Sequence, residues 1–344
     1  MTDIPVLSIV MPVFNRTGLV REMMESIKAN SFQNWELIAV DDGSERETLD
    51  FLDESAAGDP RIRVFRRTEL PKGPLTCRNI GFENALGQYI VFFDSDDYIT
   101  PDCLGNRVRC MEQNPDLDFM VFPAGEYVDG RIDSDTLFYS YGYQINKDDI
   151  KAFCRRILPF VVWNNIYRLD SLKRHGNRWD TKLRSLEDAD YNMQTLLAGM
   201  KYRYGRSLPD YGYRIAHNTQ ALSRDMSTHN DSNLHAVDKF YASVTGRFGH
   251  KYDRALYYGV MSVFTMVCRD SWNMLFINGL HQVLRNHNRW HSFRFCLTIK
   301  TISLLSVFMS KRRARQIATS LWLITNDIRF KVLKPKRIRK IMAS

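Results

Sequence analysis

Ile90-Val91-Phe92-Phe93-Asp94-Ser95-Asp96-Asp97 is an unbroken apolar run that ends in three carboxylates within four positions. β-Branched and aromatic residues in such a run read as a buried strand, so the aspartates sit where the chain leaves the core, at the strand's C-terminal edge. Open α/β sheets bind their ligands at that edge. Crowded carboxylates raise one another's proton affinity unless a cation neutralises them, and hard oxygen ligands suit Mg²⁺ or Mn²⁺ carrying a diphosphate. An isolated Asp-x-Asp more often reads as a solvated turn leading into a helix, here near Pro101, so the flanking chain must decide.

Upstream, strand and helix signals alternate. Val6 to Pro12, Trp35 to Val40, Ile62 to Phe65 and Tyr89 to Phe93 read as strands, and Gly18 to Asn30, Glu47 to Ala56 and Leu75 to Ala85 as helices. This alternation predicts an α/β fold with a mostly parallel sheet and helices on both faces. Beyond Asp97 the rhythm breaks. Pro101 to Gln113 reads as helix, Phe119 to Phe122 as strand and Gly125 to Asn146 as irregular loop. Ser185 to Tyr191 opens a helix running to about Ala198, and from Asn230 onward the pattern is helical.

With 344 residues, 44% of them hydrophobic and 25% charged, the chain has room for a large domain and a smaller one, which excludes disorder as the default. The six cysteines show no Cys-x-x-Cys spacing, which points to free thiols in a reducing compartment. Asp3 and Pro5 lead directly into a strand with no basic and apolar leader, so the reading is cytoplasmic. The net charge of +9 is unevenly placed. Residues 289–344 hold fourteen Lys and Arg against Asp327 alone, a segment of +13, whereas residues 1–288, with 34 basic and 38 acidic residues, carry −4. Within that segment Phe293 to Met309 is apolar but interrupted by Lys300 and shorter than the roughly 20 residues a membrane span needs. The basic run Lys311 to Arg315, the apolar Ile317 to Ile324 and the basic Lys331 to Lys340 follow. Apolar faces interleaved with Lys and Arg fit an anionic membrane surface better than nucleic acid.

Four elements converge on one sheet edge: Met11-Pro12-Val13-Phe14-Asn15, Asp41-Asp42-Gly43-Ser44, Cys77-Arg78-Asn79-Ile80-Gly81, and Asp94-Ser95-Asp96-Asp97. Carboxylates after the second strand suit a nucleobase N–H and ribose hydroxyls, and Arg78 offers a bidentate fork to a diphosphate. In this order and spacing the set resembles the family 2 glycosyltransferases, inverting enzymes of the GT-A fold, over about Val6 to Arg224.

The resemblance implies roles position by position. Pro12 and Phe14 would line the nucleobase pocket, and Asp42, with Asp41 nearby, would take the base N–H. Arg78 would contact the diphosphate or the sugar. Asp94 would bind ribose or reach the metal through water, with Ser95 on the donor side, and Asp96 would ligate Mn²⁺ or Mg²⁺ directly. Glu187-Asp188 matches the family's Glu-Asp pair, whose aspartate is the catalytic base, with a helix-start acid favoured by the dipole as the competing reading. His217 would reach the metal or diphosphate, against a structural loop histidine. Trp163, Asn164 and Glu187 fall on the acceptor side, where core packing explains Trp163 and Asn164 equally well. Ser223-Arg224 would belong to a loop over the donor.

The implied protein is a metal-dependent inverting glycosyltransferase of surface polysaccharide biosynthesis. Its donor would be a nucleotide sugar, a UDP-sugar, and its acceptor a glycan on a polyprenyl diphosphate at the inner face of the membrane. The chain lacks the Gln-x-x-Arg-Trp motif of processive synthases, so one sugar per acceptor is expected. Residues 1–225 would form the catalytic domain, with 1–100 binding nucleotide and 101–225 binding acceptor. Residues 226–344 would be helical, ending in the basic membrane-associating segment 289–344. An inactive nucleotide-binding scaffold and a sugar-nucleotide hydrolase are the alternatives.

Overall fold

The computed structural model describes residues 4–133, 141–214, 229–268, 272–310 and 313. The chain opens β1 (Leu7–Val13), α1 (Thr17–Lys28), β2 (Trp35–Asp41), α2 (Arg46–Gly58), β3 (Ile62–Arg66), α3 (Pro74–Glu83) and β4 (Tyr89–Phe92). There follow β5 (Tyr98–Ile99), α4 (Cys103–Glu112), β6 (Phe119–Val121), β7 (Ala124–Val128), β8 (Arg131–Asp133) and α5 (Asp149–Cys154). A 3₁₀ turn at Val162–Asn164 leads into β9 (Asn165–Arg168), α6 (Leu169–His175), α7 (Glu187–Leu197), β10 (Tyr202–Tyr204) and β11 (Tyr211–Tyr213). Helices α8 (Asn230–Phe248), α9 (Asp253–Val267), α10 (Met274–His287) and α11 (Arg289–Leu305) complete the fold.

The main sheet has the order β10-β6-β9-β4-β1-β2-β3. Strands β3, β2, β1 and β4 are mutually parallel, and β9 joins antiparallel between β4 and β6. The expected mostly parallel sheet with helices on both faces is therefore present, with β9 as its antiparallel member. Strand periodicity sorts its two cores: Leu7, Ile9, Met11 and Val13 face α1, α2 and α4, while Val10, Ile38, Val40 and Phe92 face α3, α7 and the C-terminal helices. That second core is continuous from the sheet through Ala236, Tyr241 and Val260 to Phe295 and Ile302.

One expectation needs correction. The stretch read as irregular from Gly125 contains the hairpin β7–β8, closed by Asp129 and Gly130 at φ 49° and 78°. Asp-Gly with both residues in the left-handed region is the two-residue turn that matches strand twist. The hairpin belongs to a smaller sheet, β5-β11-β7-β8. The apolar run from Phe293 lies on α11, whose one side, at Phe295, Thr298 and Ile302, packs into the core while Phe293 and Leu304 on the other side are exposed. All six cysteines are free thiols. Among the described residues no helix is long and apolar enough to cross a membrane.

Candidate functional site

The C-terminal ends of β1, β2 and β4 place their loops side by side. After β1, Phe14 is exposed while Asn15 and Arg16 both adopt left-handed backbone, φ 53° and 59°. Asn15 donates its backbone N–H to Ser44 Oγ at 2.8 Å and accepts from the Glu45 N–H at 2.8 Å, so the β1 and β2 loops are locked together. The ammonium of Lys72 lies 3.9 Å from the centre of the Phe14 ring.

The β2 carboxylates divide. Asp41 accepts from the backbone N–H groups of Gly43 (2.9 Å) and Ser44 (3.1 Å) and so holds its own turn. Asp42 pairs with Arg67 at 2.5 Å and accepts from the Gly73 N–H at 3.1 Å, which fastens the loop before α3. Both are buried. Pro12 is half-buried at the end of β1.

Helix α3 begins with Pro74, where a missing N–H costs nothing, and delivers Arg78 to the edge. The buried Arg78 pairs with Asp94 at 2.5 Å and stacks 4.6 Å from the centre of the Trp179 ring. Trp179 in turn stacks on Tyr191 at 4.2 Å, and its backbone N–H and C=O both bond the Asn79 amide. The guanidinium is thus held on two sides before any ligand arrives.

After β4 the three carboxylates take three partners. Asp94 faces Arg78, Asp96 pairs with Arg16 at 2.7 Å, and buried Asp97 accepts from the Tyr211 hydroxyl at 2.6 Å and the Arg214 N–H at 2.8 Å. Asp97 therefore ties the loop to the small sheet. Burial, with Asp96 and Asp94 nearby, pushes its proton affinity well above the ordinary carboxylate range. Burial and then Asp94 raise Asp96 as well, against Arg16.

Helix α7 supplies the remaining acids. Leu186, at φ 68°, turns the chain so that Glu187 and Asp188 occupy its first turn, where the helix dipole favours negative charge. Burial, followed by Glu187 and then Asp94, pushes the Asp188 carboxyl up to about 7, although Arg78 favours its ionised form. Its Oδ1 is sequestered without a hydrogen-bond partner among the described residues. Burial works to lower Arg78, but Asp94, Asp188 and Glu187 outweigh it and hold the guanidinium charged. One cation and three carboxylates from α3, the β4 loop and α7 thus share one electrostatic centre.

Trp163 and Asn164 lie on the 3₁₀ turn that borders the site, whose Val162 N–H bonds the Asp188 carboxylate. Trp163 is 6% exposed and stacks on Tyr211 at 4.9 Å, while Asn164 is fully buried and bonds Val161 N–H and Phe122 C=O. Both side chains are packed into the scaffold beside the site. His217, Ser223 and Arg224 lie outside the described residues. Arg16, Arg67, Trp179, Tyr211 and Arg214 complete the site and carry no motif of their own; only their partners were visible as acids or cations.

No group of three His, Cys, Asp or Glu is poised around a metal among the described residues. Asp94 and Asp96, the carboxylates the sequence assigns to a metal, are each paired with an arginine, Arg78 and Arg16, and are oxygen donors of the kind a hard divalent cation takes.

The family model described as "Glycosyl transferase family 2" matches residues 8–176. The chain is 29% identical over 216 residues to EpsH of Bacillus subtilis, 62% of each protein. It is 26% identical over 219 residues to the poly(ribitol-phosphate) beta-glucosyltransferase of Bacillus spizizenii, 63% of this chain and 33% of that one. The match spans less than two thirds of either relative's length. Among solved structures, S. aureus TarS 1–349 in complex with UDP-GlcNAc matches with a TM-score of 0.65 and 17% identity, over 92% of this chain and 91% of that one. That likeness is one of fold.

Proposed function

We propose, on the premise that the chain belongs to the glycosyl transferase family 2, that it moves one sugar from a UDP-sugar to a glycan acceptor with inversion at the anomeric carbon. The observation that carries this is the meeting of Arg78, Asp94 and Asp188, with the Asp188 carboxyl pushed up to about 7. A base matched to neutral pH beside a fixed guanidinium is what a single displacement requires.

Phe14 and Lys72 flank the nucleobase, and buried Asp42, held by Arg67, offers its free lone pairs to a base N–H. Arg78 grips the diphosphate or the sugar. Asp94 and Asp96 would hold Mn²⁺ or Mg²⁺, which when bound stabilises charge on the departing diphosphate. Asp188 takes the proton of the attacking acceptor hydroxyl as its oxygen bonds to the anomeric carbon and the bond to nucleoside diphosphate breaks. No covalent enzyme intermediate is needed.

The acceptor is a surface-polysaccharide glycan carried on a polyprenyl diphosphate. Support comes from the +13 segment at residues 289–344, drawn to anionic lipid at roughly 1 kcal/mol per basic residue near the surface, and from a relative named for a poly(ribitol-phosphate) acceptor.

The deciding experiment screens UDP-, GDP-, CMP- and dTDP-sugars for thermal stabilisation with and without Mn²⁺, then follows transfer to a lipid-linked acceptor. A donor that binds the native state raises its melting temperature. Release of free sugar at the same rate with and without acceptor would make the protein a hydrolase.

A further inference from the structure

Helix α11 is apolar on two opposite sides. Phe295, Thr298 and Ile302 are buried against the C-terminal bundle. On the other side Trp290, Phe293 and Leu304 recur at helical spacing, with partly covered Leu297 between them, and Val307 and Phe308 continue from the turn that follows. These five are 63%, 54%, 66%, 76% and 78% exposed, and Trp290 stacks on Phe293 at 5.6 Å. Met274 and Leu275, on the first turn of the neighbouring α10, are 50% and 85% exposed. A helix normally turns polar where it leaves the core. An outward aromatic pair followed by three more bulky apolar groups marks a surface with a partner.

We propose that this ridge inserts into the interfacial layer of an anionic bilayer, so that α11 lies in the membrane plane. The charge of the adjoining chain selects this occupant: Lys300 stands within the ridge, and residues 311–340 add eleven Lys and Arg against one acid. That is the pairing of apolar face and cationic flank that suits anionic headgroups. The inference deepens the membrane-bound acceptor proposed above and does not depend on glycosyl transfer.

The full-length protein, Trp290→Ser/Phe293→Ser and Leu304→Ser/Phe308→Ser are each sedimented with phosphatidylglycerol–phosphatidylcholine vesicles at low salt and near 1 M NaCl. At high salt, where screening falls to about 3 Å, attraction by the basic tail is suppressed and apolar insertion persists. The wild type should keep measurable binding there, and each double variant should partition at least about tenfold more weakly, as expected from withdrawing two large apolar side chains. An unchanged cooperative thermal transition shows the variants are folded. Equal partitioning of variants and wild type overturns the proposal. So does a wild-type dimer that the substitutions split and that ignores vesicles, because the ridge would then cover a second copy. Transfer activity plays no part in the readout, so its absence would count only against the proposed reaction.

Discussion

In the proposed reaction Asp188 is the base, and the burial that lifts its carboxyl also makes stability depend on pH. Burial and the neighbouring Glu187 and Asp94 lift its carboxyl from an ordinary 3.8 to about 7. The native state therefore binds this proton more tightly than the unfolded chain does. The resulting stabilisation is complete below the unfolded value and is lost as pH rises through about 7. The proposed catalysis needs the ionised form and moves the other way. We expect kcat/KM to rise with pH to a plateau with an apparent pKa near 7. Asp188→Asn should bind the donor as the wild type does, lose roughly 10² to 10⁴-fold in turnover, and flatten the dependence of urea midpoint on pH between 3.8 and about 7. Normal turnover by this variant would remove Asp188 from the role. Asp190 is no substitute, since its carboxylate is bonded to Lys239 and Gln194, both at 2.8 Å. For the cation, calorimetry of Asp96→Ala should show nucleotide binding that no longer responds to Mn²⁺. Full activity of the wild type in EDTA would sink the metal assignment.

Helix α3 presents Arg78 only because it lies hard against β1. A Cβ on Gly81 would come within 2.4 Å of Val10 Cγ1, so glycine here permits the approach. Gly81→Ala improves helix propensity by about 1 kcal/mol but forces the packed layers apart, at a cost of about 1–3 kcal/mol. We expect a net loss of stability together with weaker donor affinity, because the shift carries Arg78 away from Asp94 and Trp179. Gly246 on α8 is the control, with open space around the added methyl group. Gly246→Ala should gain about 0.5–1 kcal/mol and leave donor binding unchanged. Denaturant melts of the two variants give shifts of opposite sign if the layer contact, and not helix propensity, governs α3.

The C-terminal helices and the sheet are halves of one core. Ala236, Tyr241, Val260 and Phe264 join the same apolar cluster as Val10 and Phe92. A chain ending at residue 225 would leave that face open, and we expect it to be insoluble or to lack a cooperative thermal transition, while a chain ending at 310 should melt cooperatively and bind nucleotide. The truncated 1–310 protein loses eleven of the fourteen cations beyond residue 288. Its attachment to anionic vesicles at low salt should fall sharply, and what remains should be insensitive to salt. Complete retention at low salt would assign the basic segment another task and withdraw the main support for a lipid-linked acceptor.

The four parallel strands and the acids at their ends were legible before folding, because an apolar run or a helical period is a local record of burial, and a carboxylate following such a run must lie at the sheet edge. The Asp129-Gly130 turn has a local signature too, obscured by the surrounding Gly, Asp and Tyr. Other features have no local trace. Arg16 meets Asp96 across 80 positions, Arg67 meets Asp42 across 25, and Trp179 slides beneath Arg78 from a separate segment. Composition could not separate a Trp163 that packs from one that binds, nor the two apolar sides of α11. Those outcomes depend on which layers come into register, and a side chain's neighbours and solvation, and hence its proton affinity, exist only once those layers are packed.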